Sequence, residues 1–251
     1  MSIDLSGKTA IVTGGSRGIG KAICLALAQA GANVVVAART EMEDSRLPGT
    51  IHKTAGEIKS NGGKAIAMVC DVTSEAQVKG LVEKTLSTCG NIDILVNNAG
   101  VLHGASFLQT EVADFENLWR VNVLGPFLCT QAVLPHMMQR KNGSIVNISS
   151  GLAESAHPRN NIYSATKAAL NRMMVKLAGE IADYNIAVNQ LNPGMIASEG
   201  MALRVPAEML ERLPKPSIVG VPVVWLAAQN GSFTGRIVNA SDFGVGWGVV
   251  T

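Results

Sequence analysis

Residues 8–28 hold an apolar run from Lys8 to Val12, a turn Thr13-Gly14-Gly15-Ser16-Arg17-Gly18-Ile19-Gly20, and a helical pattern of Ala22, Ile23, Leu25, Ala26, Leu27 and Ala28. A strand that runs through glycines into a helix is the opening of a parallel sheet with crossover helices. Further apolar runs at about 33–37, 65–70, 92–96, 144–148, 186–191 and 236–239 alternate with helical stretches. The helices are expected at about 18–30, 51–61, 75–89, 112–139, 160–182 and 217–229. This alternation predicts an α/β fold, a doubly wound parallel sheet of about seven strands with helices on both faces. At 251 residues and 47% hydrophobic, the chain can bury a full core as one domain spanning 1–251.

The glycines let the backbone turn tightly and approach a pyrophosphate. The free N–H groups and dipole of the helix start then hold its charge. Gly14, Ser16, Arg17, Gly18, Ile19 and Gly20 are therefore candidate cofactor-binding residues. The spacing is Gly-x-x-x-Gly-x-Gly, not Gly-x-Gly-x-x-Gly. Gly15 to Lys21 also reads as the start of a nucleoside triphosphate loop, but Ala22 stands where that loop needs Ser or Thr for Mg²⁺.

Tyr163 and Lys167 are four residues apart, which on a helix places them on one face. An ammonium beside a phenol favours phenolate, turning a Tyr of ordinary pKa ~10 into an acid/base group near neutrality. Bringing it to ~7 needs about 4 kcal/mol, roughly one charge at ~4 Å in an effective dielectric of ~20, so the lysine must be close. Ser150, thirteen residues before Tyr163, is placed to share the substrate oxygen. In open parallel sheets the ligand crevice lies beyond the carboxyl ends of the strands, where Gly14, Arg39, Asp71, Asn98, Ser150 and Pro193 all fall.

These motifs and four further segments resemble the short-chain dehydrogenase/reductase family, non-extended branch, over nearly the whole chain. The resemblance implies a Rossmann-like fold and NAD(P)-linked interconversion of a carbonyl and an alcohol by hydride transfer. Asp71-Val72 resembles the family's contact with the adenine ring. Asn97-Asn98-Ala99-Gly100 is similar to the motif that stabilises the central sheet and lines the cofactor cleft. Asn122, in Arg-Val-Asn-Val-Leu-Gly, matches the asparagine that anchors a proton-relay water. Pro193-Gly194-Met195-Ile196-Ala197-Ser198 resembles the segment that grips the nicotinamide carboxamide, with Ser198 where Thr is usual. By resemblance Asn122, Ser150, Tyr163 and Lys167 form the catalytic tetrad. Tyr163 is its acid/base, and Lys167 lowers the phenol pKa and holds the nicotinamide ribose. Ser150 is preferred over Ser149 on spacing, and Ala153 stands where many relatives have Gly.

Charge decides the cofactor. Ala38 stands where NAD-selecting relatives carry Asp, and Arg39 follows it with a guanidinium that matches a 2′-phosphate. NADP(H) is favoured over NAD, with Arg17 pointing weakly the same way. Residues 41–50 lengthen the second turn, similar to an insert of hydroxysteroid dehydrogenase-like members. The insert reads either as a cover for the adenosine end of the cofactor or as a surface loop.

A formal charge of +2 with no basic stripe implies neither nucleic acid nor a membrane surface as a partner. No apolar run reaches the ~18 residues of a membrane span, and no leader is recognisable. Cys24, Cys70, Cys89 and Cys129 read as free thiols, which favours the cytoplasm. His52, His103, His136 and His157 show no metal-ligand spacing, so no catalytic metal is implied. Only His157 is near enough to the site to draw suspicion.

Substrate contacts are expected from about 100–110, 151–162 and 195–216. Met195, Met201, Leu203, Met209 and Leu210 read as an apolar cleft or as helix packing, with no charged anchor in view. The substrate is a small carbonyl or alcohol compound. The resemblance also implies a homodimer or homotetramer, and the apolar tail Phe243 to Val250 suits an interface. Three alternatives stay open: an inactive nucleotide-binding scaffold, an NAD-dependent alcohol dehydrogenase of the same family, and a nucleotide-sugar enzyme of the extended branch.

Overall fold

The computed structural model describes residues 3–156 and 160–248, so His157 and the tail beyond Gly248 lie outside the described residues. Seven strands form one parallel sheet in the order β3-β2-β1-β4-β5-β6-β7. They are β1 (Thr9–Thr13), β2 (Asn33–Ala38), β3 (Lys64–Val69), β4 (Ile94–Asn97), β5 (Gly143–Ile148), β6 (Ile186–Asn192) and β7 (Ile237–Asn239). The helices are α1 (Gly18–Gln29), α2 (Ile51–Ser60), α3 (Glu75–Cys89), α4 (Val112–Trp119), α5 (Gly125–Arg140), α6 (Asn161–Glu180), α7 (Glu199–Ala202), α8 (Ala207–Arg212) and α9 (Gly220–Ala227).

The strands are mostly apolar because each face of the sheet is covered. Val12, Val34, Val36 and Val96 point to one core, with Ile23 and Leu27 of α1, Ile58 of α2 and Leu226 of α9. Ile11, Val35, Leu95 and Ile145 point to the other, with Leu81 of α3, Met137 of α5 and Leu170 of α6. The strand order reverses between β1 and β4, which are in register at Ala10 and Ile94. A crevice opens beyond their carboxyl ends, between the turn after Thr13 and the loop after Asn97.

One expectation is corrected. The single helix expected over 112–139 is three pieces: α4, a wide π turn from Arg120 to Leu124, and α5. The wide turn lets Asn122 bond across to Val101 and Thr166. It also brings Gly125 so close to Val72 that a Cβ would stand 2.8 Å from its Cγ2. In the described part of the tail Phe243 packs on Trp247, and Trp247 on Trp225, with ring centroids 4.9 and 5.6 Å apart. Among the described residues no helix is long and apolar enough to cross a membrane. No group of three or more potential metal ligands is found there either.

Candidate active site

Gly14 follows β1 at φ +67°, and a Cβ there would stand 2.8 Å from Asn98 Nδ2. At Gly20 a Cβ would stand 2.1 Å from the Gly14 carbonyl, so the turn closes on itself only because both residues lack side chains. Asn98 clamps this turn, its Nδ2 donating to the Thr13 carbonyl at 2.8 Å and the Gly14 carbonyl at 3.2 Å. Thr13 Oγ1 in turn accepts from the N–H groups of Asn98 and Ala99. The ends of β1 and β4 are thereby locked together.

The turn and the Asn98-Ala99-Gly100 segment wall a cleft of about 340 Å³. Gly14, Ser16, Arg17, Gly18, Ile19 and Gly20 line one side, Asn98, Ala99 and Gly100 another, and Arg39, Asp71 and Val72 the outer end, with Ser198 opposite Gly18. Pro193, Gly194 and Ile196 do not line it. Pro193 and Ile196 are buried, with Ile196 packed in the core, and Gly194 donates its N–H to Asn192 Oδ1 at 3.0 Å. An Ile196 contact to a ligand would therefore run through its main chain. Ser198 Oγ, expected on the carboxamide, accepts from the Met201 N–H and caps α7. The insert lies over the glycine turn, where Leu47 lines the cleft and the Gly49 carbonyl accepts from Arg17 Nη2 at 3.0 Å. The insert thus contributes one residue to the cleft wall, while most of it is exposed.

A dinucleotide fits this cleft on two counts. Thr50 and Ser74 cap α2 and α3, but no side chain caps α1, whose first residues Gly18, Ile19 and Gly20 line the wall. Its free N–H groups suit a pyrophosphate. The buried Nε of Arg17 has no partner among the described residues. Against the fit stands Glu199, whose buried, unpartnered Oε2 lies 3.3 Å from where a Gly18 Cβ would be. It must turn away when an anion enters.

At the outer end Arg39 Nη1 lies 3.8 Å from Asp71 Oδ2. Burial raises the Asp71 pKa, but the Thr73 hydrogen bonds and the charges of Arg39 and Arg120 outweigh it and hold the carboxyl below its ordinary value. Arg39 therefore reaches the cleft with a carboxylate already beside it.

Ser150 and Tyr163 do not line this cleft; they are hydrogen-bonded to each other. Ser149, the neighbour passed over on spacing, is buried and donates to Asn171 Oδ1 at 2.6 Å. Lys167 is buried behind Gly100, where a Cβ would stand 3.7 Å from its Nζ. Burial pulls its pKa down to about 8. Its Nζ lies 5.8 Å from the Tyr163 ring centroid and donates to the Ile148 carbonyl.

The phenol departs from the expected direction. Burial raises the Tyr163 pKa above its ordinary value, and the Ser150 hydrogen bond and the charge of Arg204 only partly offset this. The lysine is engaged with Ile148, and its own charge is disfavoured by burial, so it does not lower the phenol in this geometry. Asn122 is fully buried, its Oδ1 accepting from the Val101 N–H and its Nδ2 donating to the Val101 carbonyl and Thr166 Oγ1. Both of its side-chain donors are occupied, leaving the main chain to serve a relay water.

Two features escaped the sequence. Arg204, on the segment after α7, donates from Nη2 to the Leu102 carbonyl and acts on Tyr163 by its charge. It lay in the expected substrate segment, but a lone arginine in an irregular loop has no periodicity to single it out. A buried amide row also runs under the site: Asn97 Nδ2 donates to Asn147 Oδ1, and Asn147 Nδ2 to Gln190 Oε1. Asn97 was expected to stabilise the central sheet, but its partners Asn147 and Gln190 stand within runs read as apolar.

Residues 8–208 match the family model for short chain dehydrogenase. A 3-oxoacyl-(acyl-carrier-protein) reductase of Thermotoga maritima is 35% identical over 93% of this chain and 96% of its own length. Hydroxysteroid dehydrogenase-like protein 2 of Danio rerio is 36% identical over 95% of this chain but only 58% of its own length. Among solved structures, a chain from Beutenbergia cavernae with NADP bound at low occupancy superposes with a TM-score of 0.86. It is 27% identical over 96% of this chain and 97% of its own. A 7α-hydroxysteroid dehydrogenase complexed with NADH and 7-oxo glycochenodeoxycholic acid gives 0.84 at 30% identity over 95% and 94%. The chain belongs to the short-chain dehydrogenase family. It is an NAD(P)-dependent oxidoreductase that interconverts carbonyl and alcohol groups.

Proposed function

We propose that this chain is an NADP(H)-linked carbonyl reductase, with cofactor and substrate sites in one domain spanning 1–251. The observation that carries the reading is the Ser150–Tyr163 hydrogen bond together with Lys167, which is buried behind Gly100 of the glycine-walled cleft. Gly14, Gly18, Ile19, Gly20 and Arg17 hold the pyrophosphate, Asp71 and Val72 flank the adenine, and Arg39 takes the 2′-phosphate. When bound, the reduced dinucleotide supplies the hydride.

Tyr163 and Ser150 orient the carbonyl oxygen of the substrate, and Tyr163 gives its proton to that oxygen as the C–O π bond breaks. A phenol held above its ordinary pKa keeps this proton at neutral pH until the reaction draws it off. Lys167 holds a proton at Nζ and would bind the nicotinamide ribose, and Asn122 fixes the Val101 loop. Four free cysteines, three of them buried, support a cytoplasmic setting, and kinship supports a homodimer or homotetramer.

The test is Tyr163→Phe assayed by NADPH oxidation over a panel of ketones, aldehydes and acyl thioesters. Turnover is expected to disappear while NADPH binds nearly as before. Retained turnover removes Tyr163 as the acid. A wild-type protein that binds NADPH and reduces nothing is a scaffold.

A further inference from the structure

Arg204 joins two segments 102 residues apart, its Nη2 donating to the carbonyl of Leu102 in the loop that follows β4. Its charge reaches the Tyr163 phenol. Leu102 follows Val101 of the cleft wall, so this exposed guanidinium stands next to the cleft. Among the described residues it pairs with no carboxylate. Asp114, on α4, is 3.3 Å from His103 Nδ1. Arg204 has five N–H donors in a rigid fork, and the Leu102 carbonyl takes one. The apolar residues of the same segment, Met195, Leu203 and Met209, are exposed and offer no competing polar group.

We propose that Arg204 sets substrate specificity, and that the substrate is an oxo acid whose carboxylate lies a few bonds from the carbonyl and pairs with this guanidinium. The proposal rests on the reductase reading and names its substrate class. One planar fork matches one carboxylate. A cation beside the phenol also serves the reaction, since it favours the negative charge that grows on the tyrosine oxygen as its proton leaves. The reaction balances simply: the carbonyl carbon gains a hydride, its oxygen gains the Tyr163 proton, and the C–O π bond is lost. The dinucleotide leaves oxidised, solvent returns one proton to Tyr163, and the product is the hydroxy acid.

Initial rates of NADPH oxidation with 2-, 3- and 4-oxo acids and their methyl esters, for wild type, Arg204→Gln and Arg204→Lys, test this. Arg204→Gln is expected to lower kcat/KM for the preferred acid about 30-fold and for its ester no more than about threefold, with Arg204→Lys restoring part of the loss. Three results overturn it: equal losses on acid and ester, which leave Arg204 a clasp on Leu102; a wild-type preference for esters; or a preference for phosphorylated ketones. Calorimetric titration of the NADPH complex with acid and ester separates this from the reductase reading. A protein that reduces nothing refutes that reading alone. Binding of the acid, weakened about tenfold in Arg204→Gln, still supports the anion site, and equal binding to both proteins overturns it.

Discussion

Lys167 Nζ donates a 2.8 Å hydrogen bond to the carbonyl of Ile148, tying the middle of α6 to the last residue of β5. That single bond is what burial leaves a charge that would otherwise be solvated. The pKa falls from 10.5 to about 8, a gap worth about 3 kcal/mol of lost stability wherever the lysine is charged in both states. Below about pH 8 the penalty is full. Between about 8 and 10.5 the unfolded chain binds more protons, so stability rises with pH, and above 10.5 the penalty is gone.

Lys167→Met is therefore expected to stabilise the protein while abolishing turnover. The lost bond to Ile148 offsets about 1 kcal/mol, leaving a gain of about 2 kcal/mol at pH 7 that fades towards pH 10.5. Urea melts of both proteins at several pH values measure the difference, in which the cysteines cancel. A variant less stable at pH 7, or a gap constant with pH, contradicts the buried-charge account.

Glu199 adds a like-charge obstacle where the pyrophosphate enters, because its unpartnered Oε2 lies against Gly18. Glu199→Gln removes the charge and keeps the shape. NADPH affinity is expected to rise about fivefold, equivalent to about 1 kcal/mol. Fluorescence titration reads the Kd. Weaker binding in the variant would mean that Glu199 contacts the cofactor favourably instead.

Most of the fold was legible because parallel strands buried on both faces are near-continuous apolar runs, such as Ile11-Val12 and Val34-Val35-Val36. The glycine turn was legible for the same kind of reason. At Gly14 and Gly20 a Cβ would collide with Asn98 or the Gly14 carbonyl, so the chain must carry glycine there. The π turn at Arg120–Leu124 was not, because a helical pattern does not distinguish i+4 from i+5 bonding over one turn. What forces the wider turn is long-range, the bonds of Asn122 to Val101 and Thr166. The same holds for the phenol: sequence places Lys167 on the right face but says nothing of the burial that raises Tyr163 or of the Ile148 carbonyl that engages the amine.

Arg39 is two-thirds exposed and shares Asp71 at 3.8 Å, so its pairing with a 2′-phosphate replaces a weak contact. Arg39→Ala is expected to raise KM for NADPH by about tenfold or more and to change KM for NADH less than about twofold. The NADPH effect should shrink at high salt, since the arginine is exposed. Steady-state kinetics with both cofactors decide it, and equal changes in the two would remove the phosphate contact.

Asn122 joins the Val101 loop to Thr166 on α6 through three hydrogen bonds, all within a fully buried amide. Thr166 donates in turn to the Tyr163 carbonyl at 2.7 Å, so the amide supports the helix turn that carries both Tyr163 and Lys167. Asn122→Ala leaves the Val101 N–H and carbonyl without their partner and opens a void, a loss expected at about 3 kcal/mol or more. On the other side the same Val101 leads into Leu102, the acceptor for Arg204, so the substrate wall loosens with it. The variant should therefore lose kcat by a larger factor than it loses NADPH affinity. Denaturant melts give the stability and fluorescence titration the affinity. Stability within about 0.5 kcal/mol of wild type would show that Val101 and Thr166 find other partners and that Asn122 is not the strut between them.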